Sequence, residues 1–354
     1  MTLITTGAVD CDVHVEPASI ETLHPFFSSY WLEYLRGSRL QLGSVYPPSI
    51  PTSARAEARE VGTFPPRDFA ALKAEVLDPF QPEAVILNSV SMFISGYNPY
   101  YQATLATAIN EWLRDEFLSA DDRLRASIVV PTLNPEAAAA EIDRVGDDRR
   151  FVQVILPIRT ETPWGNLRWR PIHEAAARHD LPIAFHAWGP IGRAPTTTGY
   201  TRTYYEDYVA NGQLVAPPQL LSLVAEGVFE RHPDLRVCLA ECGFNWIPSL
   251  MWQFDKDWRS LWREVPWLKA RPSEYLQRHL RATTAPTHFP SWVTPAEIGR
   301  LCRMLGAADF LMYASDYPHD HGEDGFATLL EVLGPEGAEA VLRGNARSFY
   351  RLAA

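Results

Sequence analysis

The chain has 354 residues, of which 46% are hydrophobic and 21% charged, a composition typical of a globular enzyme. This length allows one large domain or two smaller ones. The formal net charge of −11 argues against nucleic acid or an anionic membrane as the main partner, because both require a basic surface and the chain has no Lys/Arg block.

The amino terminus, MTLITTGAVDCD, has neither a basic region nor a long apolar region, and no run of about 18 apolar residues occurs. We therefore expect a soluble cytoplasmic protein. The cysteines are too few and too scattered for a disulfide framework, and none forms a CxxC pair, so we expect reduced thiols. They are Cys11, Cys238, Cys242 and Cys302.

Short β-rich runs predict eight strands, and most of them are apolar at nearly every position, as parallel strands covered on both faces must be. In chain order the predicted strands are AVDCDVHV (8–15), AVILN (84–88), LRASIVVP (124–131), FVQVILP (151–157), LPIAFHA (181–187), LRVCLAE (235–241), LRATT (280–284) and FLMYASD (310–316).

Amphipathic stretches between these runs predict helices, among them 134–148, 170–180, 220–234 and 294–306. Eight strand–helix units favour a single (β/α)8 TIM-barrel domain over residues 1–354 rather than an open sheet. Because that fold needs about 250 residues, roughly a hundred are left for insertions.

The largest surplus is residues 18–80, which we interpret as a partly helical insertion after strand 1 that lies over the barrel mouth. A second surplus, residues 188–219, forms a long loop after strand 5. Both leave from the carboxyl ends of strands, the face on which barrel active sites are built.

The first strand, within VDCDVHVEP, carries polar residues in a run that should form barrel core. Side chains two apart share a face of a strand, so Asp12 and His14 lie together. Asp10 replaces Asp12 if the register slips by two residues, since such a slip preserves the face.

Titratable residues also end three later strands: His186 ends strand 5, Glu241 strand 6 and Asp316 strand 8. With Asp12 and His14 they form a set of imidazoles and carboxylates in the barrel mouth that suits one or two ions of Zn, Fe or Mn. A cation also offsets the repulsion between crowded carboxylates.

Other residues compete for roles at this site. Glu241 either binds metal or orients an imidazole, and Asp316 is a ligand, a general base or only a strand-end cap. His319 and His321 follow Pro318 and are candidates for the mouth, whereas His173 and His179 fall in a helical pattern and are expected at the surface.

The long loop after strand 5 supplies candidates for substrate contact by position alone. We predict Cys238 to act as a small apolar group rather than a nucleophile, and the tryptophans at 246, 252, 258, 262 and 267 to pack in the core or at a subunit interface. The substrate candidates are Trp188, Arg193, Tyr204 and Tyr205.

The segments DCDVH, LPIAFHAWG, HPDLRVCLAECGFNWIPSLMWQFDKDW, VPWLKARPSEYLQRHLRATT and YASDYPHDH resemble the amidohydrolase-related family that includes aminocarboxymuconate-semialdehyde decarboxylase. The resemblance runs through nearly the whole chain apart from 18–80. It implies a TIM barrel with a catalytic metal, and often a homodimer. It places Asp12 and His14 at the first two ligands, His186 at the strand-five ligand and Asp316 at the strand-eight acid.

One departure concerns strand 6, after which many decarboxylases of the family carry a His where this chain has Glu241. Since a carboxylate can hold a second metal or position water, we expect a hydrolase of an amide, ester or thioester. In this reading Asp316 moves the water's proton to the leaving group, with Glu241 and His319 assisting. The alternatives are a decarboxylase of an aromatic or unsaturated acid, acting likewise on a small molecule, and a barrel without catalysis that only binds.

Overall fold

The computed structural model describes residues 5–42, 65–91, 98–187, 203, 206, 209–210, 214–321 and 325–352. Its eight strands form one parallel sheet in chain order, β1 to β8. They are β1 Val9–His14, β2 Ala84–Asn88, β3 Leu124–Val129, β4 Phe151–Pro157, β5 Ile183–His186, β6 Val237–Ala240, β7 Leu280–Thr283 and β8 Leu311–Met312.

The sheet curls back on itself at the seam between its last and first strands. Cys11 donates its backbone N–H to the carbonyl of Tyr313 at 3.0 Å, and His14 donates to that of Tyr317 at 2.8 Å. Val13 and Tyr317 form a parallel bridge. This near-closure, with helices between successive strands, confirms the predicted (β/α)8 TIM barrel.

Helices follow the strands as the amphipathic pattern predicts. The α-helices are Ser29–Ser38, Phe69–Leu72, Asp78–Phe80, Pro99–Trp112, Pro135–Val145, Arg170–Arg178, Ala216–Ala225, Val228–Arg231, Ile247–Leu261, Pro272–His279, Pro295–Leu305, Ala307–Phe310, Phe326–Glu339 and Asn345–Tyr350. The 3₁₀ turns are Ile20–Phe26, Leu167–Trp169 and Trp262–Glu264, and the π-helical turns are Lys73–Leu77, Leu113–Leu118 and Ala340–Gly344.

The sequence fixes where several of these helices begin. Asn98, Asn134 and Thr294 each precede a proline in the first turn and accept a hydrogen bond from a backbone N–H of that turn. The side chain accepts a hydrogen bond from a backbone N–H that has no partner within the helix. The proline has no N–H, so it removes another unpaired donor. Each helix therefore starts directly after the loop that leaves the barrel mouth.

A β-bulge in β1 changes which residues face the barrel interior. Between Asp10 and Val13 the strand advances three positions while β2 advances two, so β1 holds one extra residue. Asp10 pairs with Val85 and accepts the backbone N–H of Ser315 at 2.9 Å. The side chain of Asp10 therefore does not lie on the same face as that of Asp12, whereas in a regular strand the two side chains would share a face.

The described part of the 18–80 insertion leaves from the carboxyl end of β1 and packs on helix Pro99–Trp112. The rings of Trp31 and Tyr34 lie 5.8 and 5.9 Å from that of Tyr101. Most of the 188–219 loop falls outside the described residues. Strand β8 is shorter than predicted at both ends, because Phe310 ends a helix and residues 313–316 form no regular strand.

The helices and the cysteines have one further property each. Within the described ranges, no helix combines the length and the apolar character needed to cross a bilayer. All four cysteines are buried and free.

Candidate metal centre

Four side chains predicted as metal ligands meet at the carboxyl ends of the strands. Asp12 and His14 lie on β1, His186 ends β5 and Asp316 follows β8. One ligand atom from each lies within 4.8 Å of the ligand atoms of the others, and all four residues are buried. Residues far apart in the chain thus form a compact cluster of two imidazoles and two carboxylates.

Short contacts hold the cluster together. The distance from His14 Nε2 to Asp316 Oδ1 is 2.9 Å, and that from His186 Nε2 to Asp12 Oδ2 is 3.2 Å. The two imidazole rings meet edge to face, with centroids 5.0 Å apart. The nitrogen and oxygen atoms thus converge on one point between β1, β5 and β8.

The donor atoms fit a divalent metal. Among the described residues, Asp12 Oδ2 and His186 Nε2 are buried and make no hydrogen bond. Leaving such atoms unsatisfied is costly, and two buried carboxylates need a compensating positive charge. The chain therefore has a buried Asp/His cluster able to hold a divalent cation, and mixed imidazole and carboxylate ligands suit Mn, Fe or Zn.

Neighbouring groups orient two of these ligands. His186 Nδ1 lies 2.8 Å from the carbonyl of Ala187, to which it donates in the tautomer that leaves Nε2 as an acceptor. Asn88 donates from Nδ2 to Asp12 Oδ1 at 2.7 Å. Such outer partners fix the tautomer and orientation of metal ligands.

Asp316 also contacts the two histidines that follow it. His319 Nδ1 lies 3.0 Å from Oδ1, and His321 Nε2 lies 2.6 Å from Oδ2. Burial alone raises the pKa of Asp316, but His319, His14 and His321 outweigh it and hold that pKa well below the usual range. Asp316 is therefore ionised, and it raises the pKa of His319 to about 9 against the effect of burial.

Glu241 lies beside this cluster in a second group with Asp316 and His321. Its Oε2 is buried, lies 3.9 Å from His186 Nδ1 and makes no hydrogen bond within the described part of the chain. Burial, together with the charge of Asp316, raises the pKa of Glu241 to about 7. A carboxyl group with this pKa can hold and release a proton near neutral pH.

Both carboxylates of this second group have an unusual backbone. Glu241 has φ of 55° and Asp316 has φ of 52°, in the left-handed region that few non-glycine residues adopt. Glu241 directly follows β6, and Asp316 lies four residues beyond the end of β8, so both are placed where the chain leaves the barrel. Such conformations concentrate at functional sites.

The other sequence candidates have different positions. His179 contacts Asp143 and Asp147 at the helical surface, whereas His173 is 1% exposed, so the prediction of a surface position for His173 is wrong. Burial raises the pKa of the Cys238 thiol to about 12, which agrees with an apolar role. Trp188, Arg193, Tyr204 and Tyr205 lie outside the described residues.

The tryptophan-rich segment is only partly buried. Trp252, Trp262 and Trp267 expose 59%, 45% and 47% of their surfaces, which removes them from the core. Trp246 and Trp258 pack against the main hydrophobic cluster.

Sequence reasoning missed three buried polar residues of the barrel interior: Asn88, Ser127 and Gln153. The signal was present, since Asn88 ends the apolar run AVILN, and Ser127 and Gln153 interrupt RASIV and FVQVILP. Only titratable residues were considered at strand ends, so uncharged hydrogen-bonding groups were overlooked.

Comparisons with known proteins give the family. The family model described as amidohydrolase matches residues 9–352, nearly the whole chain. The gamma-resorcylate decarboxylase of Rhodococcus jostii (strain RHA1) is 23% identical over 279 residues, covering 72% of this chain and 78% of that protein. The gamma-resorcylate decarboxylase of Polaromonas sp. (strain JS666) is 24% identical over 319 residues, covering 82% and 93%.

Solved structures share the fold. A 5-carboxyvanillate decarboxylase of Novosphingobium aromaticivorans, with bound manganese and 3-methoxy-4-hydroxy-5-nitrobenzoic acid, matches with a TM-score of 0.72 at 18% identity. The match covers 98% of this chain and 97% of that one.

These relatives correct the hydrolase expectation, which is wrong. They are decarboxylases and fit the alternative function instead. The error arose at Glu241, whose carboxylate suggested a second metal and an activated water. A buried carboxyl group beside a metal cluster can equally supply a proton, so the residue type alone does not select hydrolysis.

Proposed function

The chain belongs to the amidohydrolase family, and we propose that it is a metal-dependent, non-oxidative decarboxylase of an aromatic carboxylic acid. The observation that carries this proposal is its similarity to gamma-resorcylate decarboxylases over 70–82% of the chain. The buried cluster supports it, because such a site can hold both a cation and a carboxylate substrate.

Asp12, His14, His186 and Asp316 are the proposed ligands, and Mn²⁺ is the proposed ion because it is present in the related 5-carboxyvanillate decarboxylase structure. When bound, the ion supplies positive charge for the substrate's carboxylate and a neighbouring oxygen. The two ligand carboxylates balance the charge of the dication.

The reaction breaks the bond between the ring carbon and the carboxylate carbon, and the electron pair stays on the ring carbon. That carbon then takes a proton, and carbon dioxide leaves. Glu241 is the proposed donor, because its buried carboxyl group lies beside His186 and has a pKa of about 7. A proton taken up from the solvent later restores the Glu241 carboxyl group.

Asp316 and His319 have the complementary roles in this proposal. Asp316 stays ionised among three imidazoles and positions them, and is therefore unsuited to donate the proton itself. His319, whose pKa rises to about 9, adds positive charge next to Glu241 and the substrate carboxylate. The roles of Trp188, Arg193, Tyr204 and Tyr205 in substrate contact stay predictions.

The test is turnover of gamma-resorcylate and 5-carboxyvanillate by the Mn²⁺-loaded full chain in D₂O. We expect carbon dioxide and a product with one deuteron at the carbon that lost the carboxylate, measured by gas analysis and NMR. The control is the same chain with Glu241→Gln. A protein that binds Mn²⁺ but releases no carbon dioxide from a panel of hydroxybenzoates overturns the proposal.

A further inference from the structure

We propose that a one-directional chain of hydrogen bonds through the barrel interior orients the carboxylate of Asp12 for metal binding. The chain runs from Tyr350 through Gln153, Ser127 and Asn88 to Asp12. The inference rests on the metal centre of the proposed function, but not on the reaction performed there.

Each link is a short contact between buried side chains. The distance is 2.9 Å from Tyr350 Oη to Gln153 Oε1, and 2.9 Å from Gln153 Nε2 to Ser127 Oγ. It is 2.5 Å from Ser127 Oγ to Asn88 Oδ1, and 2.7 Å from Asn88 Nδ2 to Asp12 Oδ1. The strands β1 to β4 contribute one member each, so the hydrogen bonds run from strand to neighbouring strand around the barrel wall.

The direction of this chain of hydrogen bonds follows from the donors and acceptors of its members. Asn88 donates from its NH₂ group to the carboxylate of Asp12, and its oxygen faces Ser127. Ser127 must then donate its hydroxyl proton, and its oxygen accepts from the NH₂ group of Gln153. Tyr350 donates its hydroxyl proton to Gln153 Oε1, so every link has one donor and one acceptor.

The chain of hydrogen bonds spans the length of the barrel. Asp12 lies at the metal cluster, whereas Tyr350 packs in the same buried cluster as Val9 and Ala84, which begin β1 and β2. Asp12, Asn88, Ser127 and Gln153 are 0% exposed and Tyr350 is 6% exposed. In such surroundings aligned hydrogen bonds polarise one another, so each donor strengthens the next.

The chain of hydrogen bonds has a specific effect on the two carboxylate oxygens of Asp12. It occupies Oδ1 of Asp12 and leaves Oδ2 without a hydrogen bond among the described residues, 3.2 Å from His186 Nε2. The carboxylate is thereby locked in rotation with one oxygen facing the cluster. Asn88, Ser127, Gln153 and Tyr350 are positioning residues, since they act on the metal only through Asp12.

The test measures the Mn²⁺ dissociation constant of the metal-free full chain by the electron paramagnetic resonance signal of free Mn²⁺, without substrate. We expect Asn88→Leu to raise it by about 10- to 100-fold, the usual effect of losing an outer partner of a ligand. We expect Ser127→Ala to raise it less, and Tyr350→Phe by about two- to threefold, since polarisation weakens with each link.

Asn110→Leu is the matched control for Asn88→Leu. Asn110 is also 0% exposed, and it hydrogen-bonds to Val129 and Glu141 outside the chain of donors. We expect it to lower thermal stability while leaving the dissociation constant unchanged. Equal shifts in the two asparagine variants would mean a general loss of structure and overturn the proposal.

Ser127→Ala and Tyr350→Phe keep the test decisive if Asn88→Leu does not fold, because each removes a single hydroxyl. Wild-type dissociation constants in both of these variants also overturn the proposal. Since no substrate is present, this outcome is separate from a failure of the decarboxylase proposal.

Discussion

Asp316 Oδ1 and His14 Nε2 lie 2.9 Å apart and make a buried contact, although they are 302 positions apart in the chain. The contact crosses the seam where the end of the barrel meets β1, next to the backbone hydrogen bond from His14 to Tyr317. The metal centre therefore depends on closure of the barrel, and metal binding in turn stabilises that seam.

Replacing Asp316 by Asn removes the charge while keeping the shape of the side chain. We expect Mn²⁺ binding and turnover of the confirmed acid each to weaken by at least about 10- to 100-fold, because Asp316 is a proposed metal ligand and positions three imidazoles. Steady-state kinetics and metal analysis of the purified variant provide the measurement. Normal turnover with normal metal content would contradict the role of Asp316.

Glu241→Gln removes the proposed proton donor but retains a side chain of similar size. We expect kcat to fall by about 10²- to 10⁴-fold while one Mn²⁺ per chain remains bound. Glu241→His should recover part of the loss, because an imidazolium also donates a proton. Loss of the metal in Glu241→Gln would instead make Glu241 a ligand and would leave the donor unassigned.

Removing the metal should destabilise the protein, because Asp12 and Asp316 then lose the cation that offsets their charges. At a free Mn²⁺ concentration 100 times the dissociation constant, binding adds about 2.7 kcal/mol to the free energy of unfolding. Urea unfolding with chelator and with Mn²⁺ measures the difference. A Glu83→Gln variant, which changes a surface pair with Arg347, should show the same increment as wild type.

His173 should make the protein sensitive to mild acid. Burial, aided by His232, lowers its pKa from 6.5 to about 3, so the folded state stays neutral where the unfolded state binds a proton. The stability it contributes is complete above pH 6.5 and is lost as the pH falls toward 3. At pH 5 the loss is about 2 kcal/mol.

The variant His173→Asn tests this, because it removes the titrating group. Urea unfolding at pH 7.5 and pH 5 should show a smaller acid-induced loss in the variant than in wild type, even if the variant is less stable at both values. An identical pH dependence in the two proteins would contradict the assignment to His173.

We propose that two copies of the chain form a homodimer through the segment that carries Trp252, Trp262 and Trp267. These exposed indoles bring large apolar surfaces to one stretch of 16 residues, and aromatic residues are enriched at protein interfaces. Sedimentation should give twice the mass of the 39.9 kDa chain. Trp252→Lys should yield monomers, and the exposed Tyr100→Lys is the control.

The periodic part of the sequence was sufficient to predict the barrel. Eight apolar runs separated by amphipathic helices have few alternatives, and polar residues at the strand ends indicated where the centre lies. The predicted strand boundaries were less accurate. The run 310–316 forms a strand only at Leu311–Met312, because the residues that follow Met312 pair irregularly with β1 across the seam.

Features that depend on neighbouring strands could not be predicted from one strand alone. The bulge in β1 is defined only by the pairing of β1 with β2. The sequence of β1 alone therefore could not show which face of the strand carries Asp10. The burial of His173 depends on distant parts of the chain, since its ring lies 6.4 Å from that of His232 and it has a hydrogen bond with the backbone of Trp164. The reaction was mispredicted because hydrolysis and decarboxylation use the same kinds of side chain.

The extra residue in β1 also determines the charge balance of the metal centre. In a regular strand Asp10 would face the same way as Asp12, and a third carboxylate would lie on the face that carries the four-residue cluster. The bulge instead directs Asp10 to the backbone of Ser315, the neighbour of Asp316. The two ligand carboxylates of Asp12 and Asp316 then balance one dication, while Asp10 supports the turn that carries Asp316.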